Sequence, residues 1–168
     1  MRIDGRLIVL GDNVNTDLIH PPAFYSTDPA VAVRGAFGGL PVDLSTLGPP
    51  PYILVGGRNF GCGSSRESTM RALATLGVRA IVARSFAHIF FRTAVAVGIW
   101  PLVIADAEAA CSTGDEAAVV GPPWDLLCPR GARLCLRPPE PYESMVLDAG
   151  GLERFLEQAG WKWDKETA

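Results

Sequence analysis

The sequence predicts an α/β fold built on parallel strands. Three observations predict it. Short, continuously apolar runs recur at Tyr52–Val55, Ala80–Ala83 and Leu102–Ile104, as in strands covered on both faces. Helical segments lie between them, closing at Gly77 and Gly98 as C-terminal caps. A glycine-rich turn follows the first of these runs, where a strand hands over to a helix. Strand–helix–strand–helix–strand order implies parallel pairing with helices packed on the sheet.

Arg6–Leu10 reads as an opening strand ending at Gly11, and Asp12–Pro22 as a polar loop stopped by Pro21-Pro22. Pro29–Phe37 holds a short helix, broken at Gly38-Gly39. Gly48-Pro49-Pro50-Pro51 is a rigid connector into the strand Tyr52–Val55. Helices follow over about Ser65–Leu76 and about Phe86–Val97, flanking the strand Ala80–Ala83. Beyond Asp106 the pattern changes. Ala117–Val120 and Arg133–Leu136 are short, antiparallel strand candidates, and Leu152–Gln158 is a terminal amphipathic helix closed by Gly160.

The chain has 168 residues and 17.9 kDa, which suits one domain, with a core over about 3–137 and a helical tail over about 140–162. A net charge of -3 and a pI near 5.3 offer no basic field for nucleic acid or an anionic membrane. No apolar run reaches the roughly 18 residues that span a bilayer; Ala94–Ala105 comes nearest and is interrupted by Gly98 and Pro101. Asp4 and Arg6 break any signal-peptide core, so the cytoplasm is the expected compartment. Cys62, Cys111, Cys128 and Cys135 form no C-x-x-C pair. Neither a metal site within the chain nor a disulfide framework is expected.

Reactive groups are densest in Gly56-Gly57-Arg58-Asn59-Phe60-Gly61-Cys62-Gly63-Ser64-Ser65-Arg66-Glu67, at a strand-to-helix turn where parallel sheets place ligands. Glycines let the backbone approach a ligand, and free N–H groups at a helix start favour an anion. Arg66 adds a planar, bidentate donor for a carboxylate or phosphate. A hydroxyl at Ser64 in that positive environment could take part in proton transfer. The same residues also spell the capping box S-x-x-E, in which Ser64 and Glu67 only satisfy backbone donors. Two other motifs fail. The phosphate loop needs a lysine that is missing, and the nucleophile elbow needs a glycine two residues after the serine.

The run Gly57–Glu67 resembles the signature of the aconitase-family swivelling domain, above all the small subunits of 3-isopropylmalate dehydratases and homoaconitases. Gly11-Asp12-Asn13-Val14-Asn15-Thr16-Asp17 with Pro21 is similar to the family's opening segment. Ala80–Arg92, followed by Gly98 and Pro101, looks like its second strand–helix unit. The likeness covers roughly residues 3–105, with the tail matching in outline.

This resemblance implies a three-layer β/β/α swivelling domain. It implies that Ser64 is the base removing a proton alpha to a carboxylate, supported by Asp17. Ser65 and Arg66, with Thr16 and Gly63, would hold the substrate, a small dicarboxylate. The family's [4Fe–4S] cluster would sit on a cluster-bearing large subunit and not on this chain, whose isolated form is also open to self-association. The implied reaction isomerises 2-isopropylmalate and 3-isopropylmalate through dehydration and rehydration, a step of leucine biosynthesis. Homoaconitase chemistry, or a non-catalytic anion-binding module, is the alternative.

The chain departs from the family in places. Ser68-Thr69 stand where histidine and alanine are usual, and Thr93, Val95 and Ala96 where asparagines are common, which reads as change near the cleft. Only His20 is basic between Asp17 and Arg34. That favours a substrate with an apolar third substituent against Ala23-Phe24-Tyr25. His20, His88 and Cys62 read as packing or surface residues. Trp161 and Trp163 could pack on the domain or on a partner.

Overall fold

The computed structural model describes residues 1–26, 28–63, 66–105 and 111–161. Four strands run parallel: β1 (Arg2–Val9), β2 (Tyr52–Gly56), β3 (Val78–Ala83) and β4 (Trp100–Ile104). Three more pair antiparallel: β5 (Glu116–Val120), β6 (Asp125–Leu127) and β7 (Arg133–Arg137). β5 pairs with β1 and β7 with β4, so the order β1-β2-β3-β4-β7-β6-β5 closes into a barrel. Closure leaves these strands no open edge. The α/β expectation holds.

Side-chain alternation separates two cores. Leu7, Ile53, Val55, Ala80, Val82 and Leu102 meet Val119, Leu126 and Leu136 of the antiparallel strands. Their neighbours Ile8, Leu54, Ile81 and Ala83 pack instead with Met70, Leu73, Phe90 and Ala94 of two helices, α4 (Glu67–Leu76) and α5 (His88–Val97). Both faces of the parallel strands are therefore covered, which is why they read as continuous apolar runs. Both helices end at glycines in the left-handed region, Gly77 (φ 98°) and Gly98 (φ 82°), as expected from sequence.

The remaining helices are α1 (Thr16–Ile19), α2 (Pro29–Arg34), α3 (Leu44–Leu47), α6 (Pro141–Asp148) and α7 (Leu152–Gln158). The sequence reading leaves α1 as loop, because four polar-led residues carry no periodicity; the Asn15 side chain caps it by accepting from the Asp17 N–H. The helical tail expected over about 140–162 holds two helices, and the sequence reading places only the second, because the start of α6 hides behind Pro139 and Pro141. There Glu140 replaces the usual hydroxyl cap, and its N–H donates to Glu143 Oε2 at 3.0 Å. It also misses β6, three residues long after Pro122-Pro123. Among the described residues no helix is long and apolar enough to cross a membrane.

One expectation is overturned. Cys111 and Cys128 form a disulfide, with Cα atoms 6.4 Å apart, because the β5–β6 pairing brings together residues 17 apart in the chain. Linear spacing carries no sign of that meeting. Closing a loop of this length removes unfolded-state freedom worth about 3 kcal/mol. Cys111→Ser is expected to lower Tm by roughly 6–12 °C, a drop reproduced by reductant acting on the unsubstituted chain. Identical melting of the two proteins without reductant would show the thiols unpaired in solution.

Candidate functional site

The glycine-rich loop after β2 lies against the segment after β1, because the two parallel strands deliver their C-terminal ends side by side. A ladder of hydrogen bonds joins them. The Gly57 N–H donates to Gly11 O (3.1 Å), Asn13 N–H to Arg58 O (2.8 Å), Gly61 N–H to Val14 O (2.8 Å) and Thr16 N–H to Cys62 O (2.9 Å). Side chains add to it. Asp12 Oδ1 accepts from the Arg58 N–H at 2.6 Å, and Asn59 Nδ2 donates to Asn13 Oδ1 at 3.0 Å. On its other side the loop is tied to the β3–α5 turn, where Phe60 N–H donates to Ser85 O and Ala87 N–H to Phe60 O, both at 2.9 Å.

Phe60 is fully buried and packs edge-on against Phe86 and Phe90, with centroids 6.2 and 5.5 Å away. This anchor fixes the loop from below. Gly61 turns above it at φ 77°, and a Cβ there would run into the Phe90 ring. Gly63 sits at φ 97°, and its Cβ would lie 2.6 Å from Asn15 Oδ1, the atom that caps α1. Each glycine is demanded twice, by backbone angle and by space.

Among the described residues, Thr16, Asp17, Gly63 and Arg66 come together here. Thr16, 1% exposed, opens α1, and Asp17 follows with its carboxylate accepting a 2.8 Å hydrogen bond from Tyr25 Oη. The Arg66 guanidinium lies over the Tyr25 ring, 4.4 Å from its centroid. Gly63 meets the Asn15 cap of the same short helix. Ser64 and Ser65 lie outside the described residues; their neighbours Gly63 and Arg66 are both part of this cluster. Sequence reasoning places Tyr25 only in an apolar stretch facing the substrate and Asn15 only in the opening segment; what it misses is that the two join the predicted residues to each other. No spacing rule announces Tyr25, because its role arises from a contact between two loops.

Two expectations about the loop change. α4 starts at Glu67, so Arg66 is its N-cap residue instead of lying in its first turn, and it makes no side-chain capping bond. Glu67 is then the first helical residue rather than the third, and its carboxylate accepts from Arg71 Nε at 2.7 Å. Ser64, the other member of the capping box, lies outside the described residues. The departures at positions 68–69 and 93–96 fall on α4 and α5. Thr69 and Val95 are buried in packing, the Thr93 hydroxyl donates to Ile89 O of its own helix, and Ser68, Thr93 and Ala96 line a groove among α4, α5 and α7.

Tyr25 is pushed above its ordinary pKa, first by burial and then by its hydrogen bond to Asp17, so it keeps its proton and remains a donor. His20 is 0% exposed and stacks at a tilt on Tyr25, with centroids 5.3 Å apart. Burial lowers its pKa below the ordinary 6.5, opposed in part by the backbone of Ala32 and Phe24. A histidine held neutral in the folded state takes up more protons when unfolded. Its contribution is therefore complete above pH 6.5 and lost as pH falls below that value. Tm of the unsubstituted chain is expected to decline through this window, and His20→Gln to flatten that part of the curve. Parallel curves would place the pH response elsewhere.

Cys62 Sγ donates to Asn13 O at 3.3 Å, Cys135 is exposed on β7, and the other two cysteines are bonded to each other. Among the described residues no three His, Cys, Asp or Glu side chains converge on one point. This donor set does not fit an iron–sulfur cluster.

Comparison with known proteins shows the family of this chain. A family profile for the aconitase C-terminal domain matches residues 48–107, the stretch that holds β2, the glycine-rich loop and α5. The small subunit of 3-isopropylmalate dehydratase from Pyrobaculum neutrophilum is 40% identical over 95% of this chain and 99% of its own. The chain belongs to the 3-isopropylmalate dehydratase small-subunit family. A crystal structure of that dehydratase from Methanocaldococcus jannaschii superposes with a TM-score of 0.87 at 31% identity, covering 95% of this chain and 96% of the other. A methanogen homoaconitase small subunit from M. jannaschii is 32% identical over 94% of this chain and 95% of its own length. Within the aconitase family, then, overall likeness does not separate the two substrate names. The Asp17–Tyr25–Arg66 arrangement belongs to a small subunit of this family.

Proposed function

We propose that this chain is the small subunit of a hydro-lyase that interconverts 2-isopropylmalate and 3-isopropylmalate by dehydration and rehydration, in leucine biosynthesis. The convergence of Asp17 and Arg66 on Tyr25, beside Gly63 at the strand ends, carries this reading. In it, Ser64 removes the proton alpha to a substrate carboxylate. Arg66, with Ser65, holds the carboxylate oxygens on which negative charge builds as that proton leaves. Asp17 supports the serine, while Thr16 and Gly63 shape the contact with substrate. The residues of this chain do not fit the family's [4Fe–4S] cluster, so we assign it to the large subunit, with the two chains meeting at this site in the cytoplasm.

Residues 1–168 act as one swivelling domain in this proposal. The two cores support β/β/α layering, since antiparallel strands cover one face of the parallel set and α4 and α5 the other. A homoaconitase substrate is disfavoured by one observation. A third carboxylate would need a cation, and the only basic residue between Asp17 and Arg34 is His20, which burial keeps neutral.

Co-expression with a candidate large subunit tests the reading. The assembly is expected to turn over isopropylmalate faster than homocitrate, and the isolated chain to turn over neither. Turnover by the isolated chain would sink the two-subunit reading. Preference for homocitrate would sink the substrate assignment, and dicarboxylate binding without turnover by the assembly would favour a binding module.

A further inference from the structure

We propose that Tyr25 is a positioning residue that holds Asp17 and Arg66 together, its hydroxyl setting the carboxylate and its ring setting the guanidinium plane. The inference rests on the functional reading above and deepens it. Tyr25 is built to be rigid. Its N–H donates to Pro22 O at 3.1 Å, closing a short 3-10 turn over Pro22–Phe24, and its ring packs on the fully buried His20. A ring held this way can position other groups without itself being rearranged.

Its two contacts differ in kind. The hydroxyl donates to Asp17 Oδ1 at 2.8 Å, while the Asp17 N–H is already held by Asn15 Oδ1 at 2.8 Å. Backbone and side chain of Asp17 are therefore both fixed. Arg66 reaches the ring face at 4.4 Å, inside the range of a cation–π contact. A cation–π contact of this kind restrains the guanidinium at the ring face, and a guanidinium so restrained loses less freedom on taking up a planar carboxylate. One side chain thus sets the geometry between a group beside the base and the group that binds charge. An apolar wall of the same size would do neither task.

The two contacts can be removed separately. Tyr25→Phe deletes the hydroxyl and keeps the ring; Tyr25→Leu deletes both. In the assembled enzyme, Tyr25→Phe is expected to lower kcat about ten-fold with little change in KM. Tyr25→Leu is expected to add a rise in KM of about three- to ten-fold. Nitrogen-15 NMR of the isolated chain supplies a readout independent of turnover. The Arg66 Nε–H signal should carry a ring-current shift in the unsubstituted chain and in Tyr25→Phe, and lose it in Tyr25→Leu.

Absence of that shift in the unsubstituted chain would overturn the inference, whatever the enzyme does. An active assembly whose two variants change kcat and KM in parallel, or change neither, would overturn it as well. A normal shift in a chain whose assembly turns over no hydroxy-dicarboxylate would overturn the functional reading instead, and with it the catalytic half of this inference.

Discussion

Replacing Ser64 by alanine in the two-subunit assembly is expected to lower kcat by about 10²–10⁴-fold, the usual contribution of a general base. KM should change little, since the proposal gives the carboxylate contacts to Arg66 and Ser65. The rival outcome follows from a capping role, which would cost about 1 kcal/mol of stability and leave kcat nearly intact. α4 starts at Glu67 behind an Arg66 N-cap, and Glu67 is engaged by Arg71. Measuring kcat and Tm on the same variant separates the two. A stability loss with kcat retained would require a different base.

Arg66→Gln is expected to weaken dicarboxylate binding by about 10²–10³-fold, because a bidentate pair of charge-assisted hydrogen bonds is lost. Arg66→Lys should fall between, since it keeps the charge and gives up the planar fork. Stability without ligand has an expectation that the sequence alone would reverse. An arginine at a helix start opposes the dipole by a few tenths of a kcal/mol, so its removal would be mildly stabilising. The guanidinium also rests on the Tyr25 ring, a contact worth about 0.5–1 kcal/mol, so the balance tips toward a small loss. Inhibitor affinity and Tm of both variants give the answer. Unchanged affinity with a clear stability loss would make Arg66 a structural residue and move the carboxylate site elsewhere.

Much of this protein is determined by local chemistry and is legible in order. The parallel strands announce themselves because both of their faces are covered, so Ile53 and Leu54, or Val82 and Ala83, are all apolar although they serve different cores. Gly77 and Gly98 mark helix ends because the left-handed angle there favours glycine. The glycines at 61 and 63 mark the site for the same reason, joined to close packing against Phe90 and Asn15. Arg66 is readable as a candidate from its chemistry before any coordinates, whereas Thr16, Asp17 and Gly63 are candidates only through the resemblance to the aconitase family.

Tertiary structure alone decided the rest, and in each case the deciding contact joins residues far apart in the chain. Closure of the barrel depends on β5 meeting β1 and β7 meeting β4, pairings that strand propensity does not specify. The Cys111–Cys128 bond follows from the β5–β6 hairpin, whereas the cysteine spacing suggested no pairing. Tyr25 reads as part of the apolar Ala23-Phe24-Tyr25 stretch until the fold lays Arg66 on its face and Asp17 against its hydroxyl. Hydrophobic period and backbone angle are properties of neighbouring residues, so sequence carries them. The alignment of a hydroxyl, a carboxylate and a guanidinium on three separate segments is a property of packing, and only the folded chain holds it.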